Sequence, residues 1–169
     1  MIFEKPTDPR PKWLQNVQAE GTAQGNITVG NKEYSYTLVR AGLEPRLPYT
    51  VGFSDNNTLF VSIEADMFDR PHVMTHEVRE KTNFANLPEE ERCPASLKAE
   101  LIDVQAQAPE MYSEYTRRRL NFFEALVSYY SDPAQAAAKT PAFISGLQAS
   151  LDYLRKEVAS PMVHQTPKP

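Results

Sequence analysis

The sequence predicts an α+β fold, a small antiparallel sheet of hairpins over about residues 26–64 followed by four helices. Three observations carry that expectation: apolar residues spaced by two up to residue 64, a change to helical spacing beyond Asp69, and turn or start signals at the junctions. Ile27 and Val29, then Tyr34, Tyr36 and Leu38, alternate on either side of Gly30-Asn31, a pair suited to a tight hairpin turn. A second hairpin is expected from 49–54 and 58–64, joined by Asp55-Asn56-Asn57, residues that tolerate left-handed turn conformations. The stretch 58–63, Thr-Leu-Phe-Val-Ser-Ile, is the richest in β-branched and aromatic side chains and reads as the best strand.

The helices follow from start signals and stripes. Asp69 ahead of Pro71 is a helix N-cap signal, because proline in the first turn gives up an amide that has no partner there, and a helix over about 71–84 is expected. Residues 87–91 read as an acidic loop, and Pro94 opens a helix over 94–107 with Leu97, Leu101 and Val104 on one face. Pro109 starts a third, over 110–131, whose apolar face is expected to hold Met111, Tyr115, Phe122, Leu126 and Tyr130. Asp132-Pro133 breaks it, and after an alanine-rich linker Thr140 caps and Pro141 opens a helix over 141–158. Its Ile144, Leu147, Leu151, Leu154 and Val158 suit packing on another helix, with a dimer seam as the lesser reading. The organisation expected is an N-terminal arm over 1–20, one α+β domain over 21–159 and a disordered, proline-bearing tail over 160–169.

A chain of 169 residues suits one domain with a single core. Eighteen Lys and Arg against 22 Asp and Glu give a net charge of −4 and a pI near 5.4, which argues against nucleic acid and anionic membrane as partners. Six glycines, none in a phosphate-cradling pattern, argue against nucleotide chemistry. One cysteine cannot build a disulfide framework, the first ten residues are polar, and mean hydropathy is −0.52, so a cytoplasmic protein is expected. Three histidines and that single cysteine leave few addresses for metal chemistry.

Two of the histidines fall on the first expected helix, where His72, His76 and Glu80 are spaced by four and form one stripe. His76-Glu77-x-x-Glu80 is the zinc-hydrolase HExxH pattern with its second histidine replaced by a carboxylate. That pattern needs two ligands one turn apart and a glutamate beside the first to take a proton from water on the metal. An oxygen donor at Glu80 widens the plausible ions from zinc to manganese or iron. Glu100 sits between Leu97 and Val104 on a core-facing stripe, where a carboxylate is costly unless it is paired or ligated. Arg79, Lys81 or Arg92 would pair it equally well. Cys93, two turns before Glu100, is a further candidate ligand, as is His72. The same residues also fit an ordinary charged helix face with Glu77 and Lys81 as an i, i+4 pair.

Residues 47–54 (Leu-Pro-Tyr-Thr-Val-Gly-Phe-Ser), the strand 58–63, His76-Glu77-x-x-Glu80-Lys81 and 93–100 together resemble the short zincin-like metallopeptidase domains of bacterial and phage proteins. The resemblance covers about 47–101. It implies a metal, most simply zinc, held by His76, Glu80 and Glu100, with Glu77 as general base in the attack of water on a peptide carbonyl. The sequence departs from the family pattern at Glu80, where a second histidine is usual, and at Cys93, where a histidine is expected. An extended peptide would then align along the edge of the 58–63 strand. The alternatives are a non-catalytic protein-interaction module related to such an enzyme, and a structural subunit that oligomerises through its last helix.

Overall fold

The computed structural model describes residues 18–40, 52–53, 58–63 and 65–160. Of the expected arm, residues 1–17 lie outside the described residues, as do the tail beyond residue 160 and most of the 47–54 stretch. The chain forms two compact units, 1–78 and 79–169, with the boundary inside the helix Asp69–Lys81.

In the first unit four strands, β1 (Gln18–Val29), β2 (Lys32–Arg40), β3 (Gly52–Phe53) and β4 (Thr58–Ser62), make a sheet in the order β1-β2-β4-β3. Both expected hairpins are present. β1 and β2 pair antiparallel around Gly30-Asn31, with Gly30 at φ 65°, a left-handed conformation that glycine adopts without a Cβ penalty. β3 and β4 pair antiparallel through Gly52 with Phe60 and Phe53 with Leu59. The sheet as a whole is mixed, however, because β2 and β4 run parallel, Tyr36 beside Leu59 and Leu38 beside Val61. Residues 41–57 separate the two strands in sequence, enough chain for the crossover that parallel neighbours need. The expectation of an all-antiparallel sheet is therefore corrected, and β4 lies between two strands rather than offering the peptide-binding edge expected of it. β1 also starts earlier than residue 26, with a register irregularity between Ala19 and Gln24. Gly25 pairs with Tyr36, whose hydroxyl lies 2.5 Å from where a Cβ on Gly25 would be, so the aromatic ring covers the glycine.

Helix α1 (Asp69–Lys81) follows β4. Its cap is Asp66, not Asp69: the Asp66 carboxylate accepts from the Phe68 amide at 2.9 Å, and its carbonyl accepts from the amides of Asp69 and Arg70. Asp69 is buried inside the first turn. Arg70 donates to the carbonyls of Ile63 and Ala65, at 2.6 and 3.1 Å, and so fixes the start of α1 to the end of β4. Leu59, Val61, Val73, Met74 and Val78 are buried in this unit.

The second unit begins in the last turn of α1 and continues as a three-helix bundle. Its members are α2 (Glu89–Gln107), α3 (Tyr112–Tyr130) and α5 (Pro141–Ala159), with a 3-10 turn (Pro109–Met111) before α3 and a short α4 (Pro133–Ala136) after it. α2 starts one turn or more ahead of the expected residue 94. Glu89, Glu90 and Glu91 form its first turn, where carboxylates complement the helix dipole, and Pro94 lies inside the helix, in its second turn, at the cost of one helical hydrogen bond. Of the expected acidic loop over 87–91, residues 89–91 are thus helix. Asp132 caps α4 through the Ala134 amide, and Thr140 caps α5 through the Phe143 amide, the latter as expected. Leu97, Leu101 and Val104 are buried, and so are Leu147, Leu151 and Leu154, whose face is taken up by the chain's own core. The buried face of α3 runs through Tyr112, Tyr115, Arg119, Phe123 and Tyr130, displaced from the expected face, with Phe122 and Leu126 half-buried.

α5 packs closely on both other helices, parallel to α2 and antiparallel to α3, since Gly146 meets Glu90 and Ser150 meets Cys93 while Phe143 meets Tyr130 and Glu157 meets Tyr112. A Cβ on Gly146 would stand 3.0 Å from the Glu90 carbonyl oxygen, which is also the carbonyl that Pro94 cannot serve as donor. Replacing a helical glycine with alanine ordinarily stabilises by about 1 kcal/mol. Here backbone meets backbone, so Gly146→Ala should bring none of that gain and Gly146→Val should cost about 1–3 kcal/mol, as read from urea unfolding.

Burial, with Tyr129 beside it, pushes the Tyr130 hydroxyl up to about 12, and burial together with the hydrogen bond to Glu157 raises that of Tyr112. In the unfolded chain both ionise near pH 10, so the unfolded state releases these protons first. Stability should therefore be level with respect to these groups below pH 10 and fall as the pH rises toward 12. Tyr130→Phe should lessen that fall in urea midpoints compared at pH 9 and pH 11.

Candidate metal centre

Helical geometry sets the first part of the site. His76 and Glu80 lie one turn apart on α1, which is continuous through both positions, and a turn of chain over 82–88 leads into α2. Because α2 begins at Glu89, Cys93 falls in its second turn rather than ahead of it. His76, Glu80 and Cys93 each offer a ligand atom, and these atoms all lie within 4.8 Å of one another. His76 and Cys93 are buried and Glu80 is half-buried. A tetrahedral centre with metal–donor bonds of about 2.0–2.3 Å places its donors roughly 3.5 Å apart, so small side-chain rotations would close this group on an ion. The Cys93 sulfur also accepts a hydrogen bond from the Ser150 hydroxyl at 3.3 Å.

The structure brings together two of the three expected ligands, with Cys93 in the place expected of Glu100. Glu100 is 1% exposed and its carboxylate is engaged elsewhere. Tyr115 donates its hydroxyl to Oε1, and the Arg119 guanidinium lies against both oxygens, Nε 2.7 Å from Oε1 and Nη2 3.2 Å from Oε2. Arg119 is itself 2% exposed and sits 5.2 Å from the ring of Phe122 and 5.1 Å from that of Phe123. The costly carboxylate on the α2 stripe is thus a paired one. The partner that the structure shows, Arg119, comes from α3. Arg79 instead pairs with Asp103 at 2.6 Å, and Arg92 donates to the Leu87 carbonyl at 3.0 Å. Arg118 of the Arg117-Arg118-Arg119 run pairs with Glu114, 2.9 Å away on the surface of α3.

His72 lies one turn before His76, half-buried, with its ring tilted at 49° against Phe68 and 5.0 Å from it; it is not part of the three-residue group. Glu77 directly follows His76 on α1 and is half-buried. Sequence reasoning missed Arg119 as a core residue. The signal was its spacing of four from both Tyr115 and Phe123, which puts a cation on the aromatic face of α3.

Comparison with protein-family models, with curated proteins and with solved structures finds no match to this chain. Among the described residues no helix is long and apolar enough to cross a membrane.

If Glu100 is held by Arg119 rather than reserved for a metal, Arg119→Met should strand a buried carboxylate and lower stability by about 3–5 kcal/mol. Adding Glu100→Met to that variant should recover much of the loss, since neither charge is then left alone. Urea unfolding of the single and double variants checks both outcomes.

Proposed function

We propose that the protein holds one divalent transition metal through His76, Glu80 and Cys93 and is a metal-dependent hydrolase of zincin-like type acting on peptide bonds. The observation that supports this reading is the convergence of imidazole, carboxylate and thiol donors within 4.8 Å at the end of α1 and the start of α2. Imidazole and thiolate together favour zinc over the harder manganese, with iron between them. Three protein donors are also the number found in catalytic zinc sites, where the remaining position takes water or substrate. The ion, when bound, supplies Lewis acidity and lowers the pKa of a coordinated water to about 7.

The chain's own residues do the rest in this reading. His76 and Glu80 grip from one helix face, so their spacing is set by the backbone and not by a loop. Cys93 brings the negative charge that a second histidine would not. Glu77, next to His76, accepts the proton from the attacking water and returns it to the leaving amine.

Elemental analysis of the purified protein should show about one zinc per chain, and His76→Ala should remove it. A metal-free native protein whose melting is unchanged by chelator overturns the site. Glu77→Gln should retain the metal and abolish cleavage of an unstructured protein such as casein. Full metal content with no such cleavage in the unaltered protein would leave a non-catalytic metal-binding module.

A further inference from the structure

The hydroxyl of Ser150 is the feature of this region that the proposed hydrolysis leaves unused. Ser150 lies on α5, is 0% exposed, and its Oγ is 2.9 Å from the Gly146 carbonyl oxygen and 3.3 Å from Cys93 Sγ. A hydroxyl has one proton for these two acceptors. With Cys93 as a thiol, its S–H can donate to Ser150 Oγ while Ser150 donates to the Gly146 carbonyl, and every group is served. A thiolate has no proton to give and only accepts. Rotation about the Ser150 Cβ–Oγ bond, with the oxygen in place, then carries the hydroxyl proton from Gly146 to the sulfur. That rotation strands nothing, because the Gly146 carbonyl is four residues before Ser150 in α5 and keeps the helical amide as a donor.

A second observation fixes the geometry. One turn before Ser150, Gly146 brings the α5 backbone against Glu90, three residues before Cys93 on α2. The distance between Ser150 and Cys93 is thereby set by two backbones in contact and not by flexible side chains.

We infer that Ser150 is a positioning residue for Cys93: its hydroxyl donates to the metal-bound thiolate, holds Sγ in the direction of the other donors, and biases the site toward ions that bind sulfur. The inference rests on the metal reading above. Outer hydrogen bonds of this kind are worth about 10–100-fold in metal affinity.

Cobalt(II) is a suitable probe, because a thiolate ligand gives it a charge-transfer absorption in the near ultraviolet that reports on the sulfur directly. The unaltered protein should show the band and Cys93→Ser should lose it. Ser150→Ala should bind cobalt about tenfold more weakly, with the band moved to longer wavelength as the thiolate loses its donor. Ser150→Thr keeps the hydroxyl and should keep both the band position and, to within about twofold, the affinity. Absence of the band in the unaltered protein defeats the metal reading itself. A band present but identical in Ser150→Ala, in position and affinity, overturns the role of Ser150 alone. So do equal losses in the alanine and threonine variants, which would assign the effect to packing. Should Ser150→Ala not fold, Ser150→Val set against Ser150→Thr carries the test, since the two differ only in the hydroxyl: the same band position and affinity in both overturns the inference.

Discussion

A carboxylate taken out of water organises the helical unit. Glu100 would be costly alone on the buried face of α2, and the Arg119 guanidinium and Tyr115 hydroxyl from α3 compensate it. Three long side chains fill the space between these helices, which otherwise approach each other less closely than either approaches α5. The rings of Phe122 and Phe123 face the guanidinium. Such a pair specifies more than it stabilises. A shift of α2 by one turn along α3 would leave both charges buried without a partner, so the pair selects one register, and with it the level at which Cys93 faces α5.

Much of this architecture was legible in the sequence. Prolines and caps located the helices to within a few residues, because an amide without a partner is where proline costs least. The turn residues Gly30-Asn31 and 55–57 located both hairpins. What lay beyond reach was whatever depends on two distant segments meeting. Nothing in the alternation of β2 or β4 says that they lie side by side and parallel, because that pairing joins segments far apart in sequence. The start of α2 is hard to place from sequence because Pro94 has the character of an opening residue, while the three glutamates ahead of it already form a helical turn.

The metal candidates show the same division. His76 and Glu80 share a helix, so their juxtaposition follows from spacing alone. The third donor comes from another element. Glu100 was attractive because a buried carboxylate demands an explanation, but an arginine supplied it. Cys93 was the weaker candidate in sequence because a small buried cysteine needs no explanation at all. Moving the helix start back to Glu89 is what brings its sulfur to the others.

The contact between Ser150 and Cys93 spans 57 residues. During synthesis the thiol therefore leaves the ribosome well before the helix that covers it, and remains open to alkylating or oxidising reagents until α5 docks. With no other cysteine in the chain, its chemical reactivity is a built-in clock for the last step of bundle assembly, readable in refolding experiments without any added label.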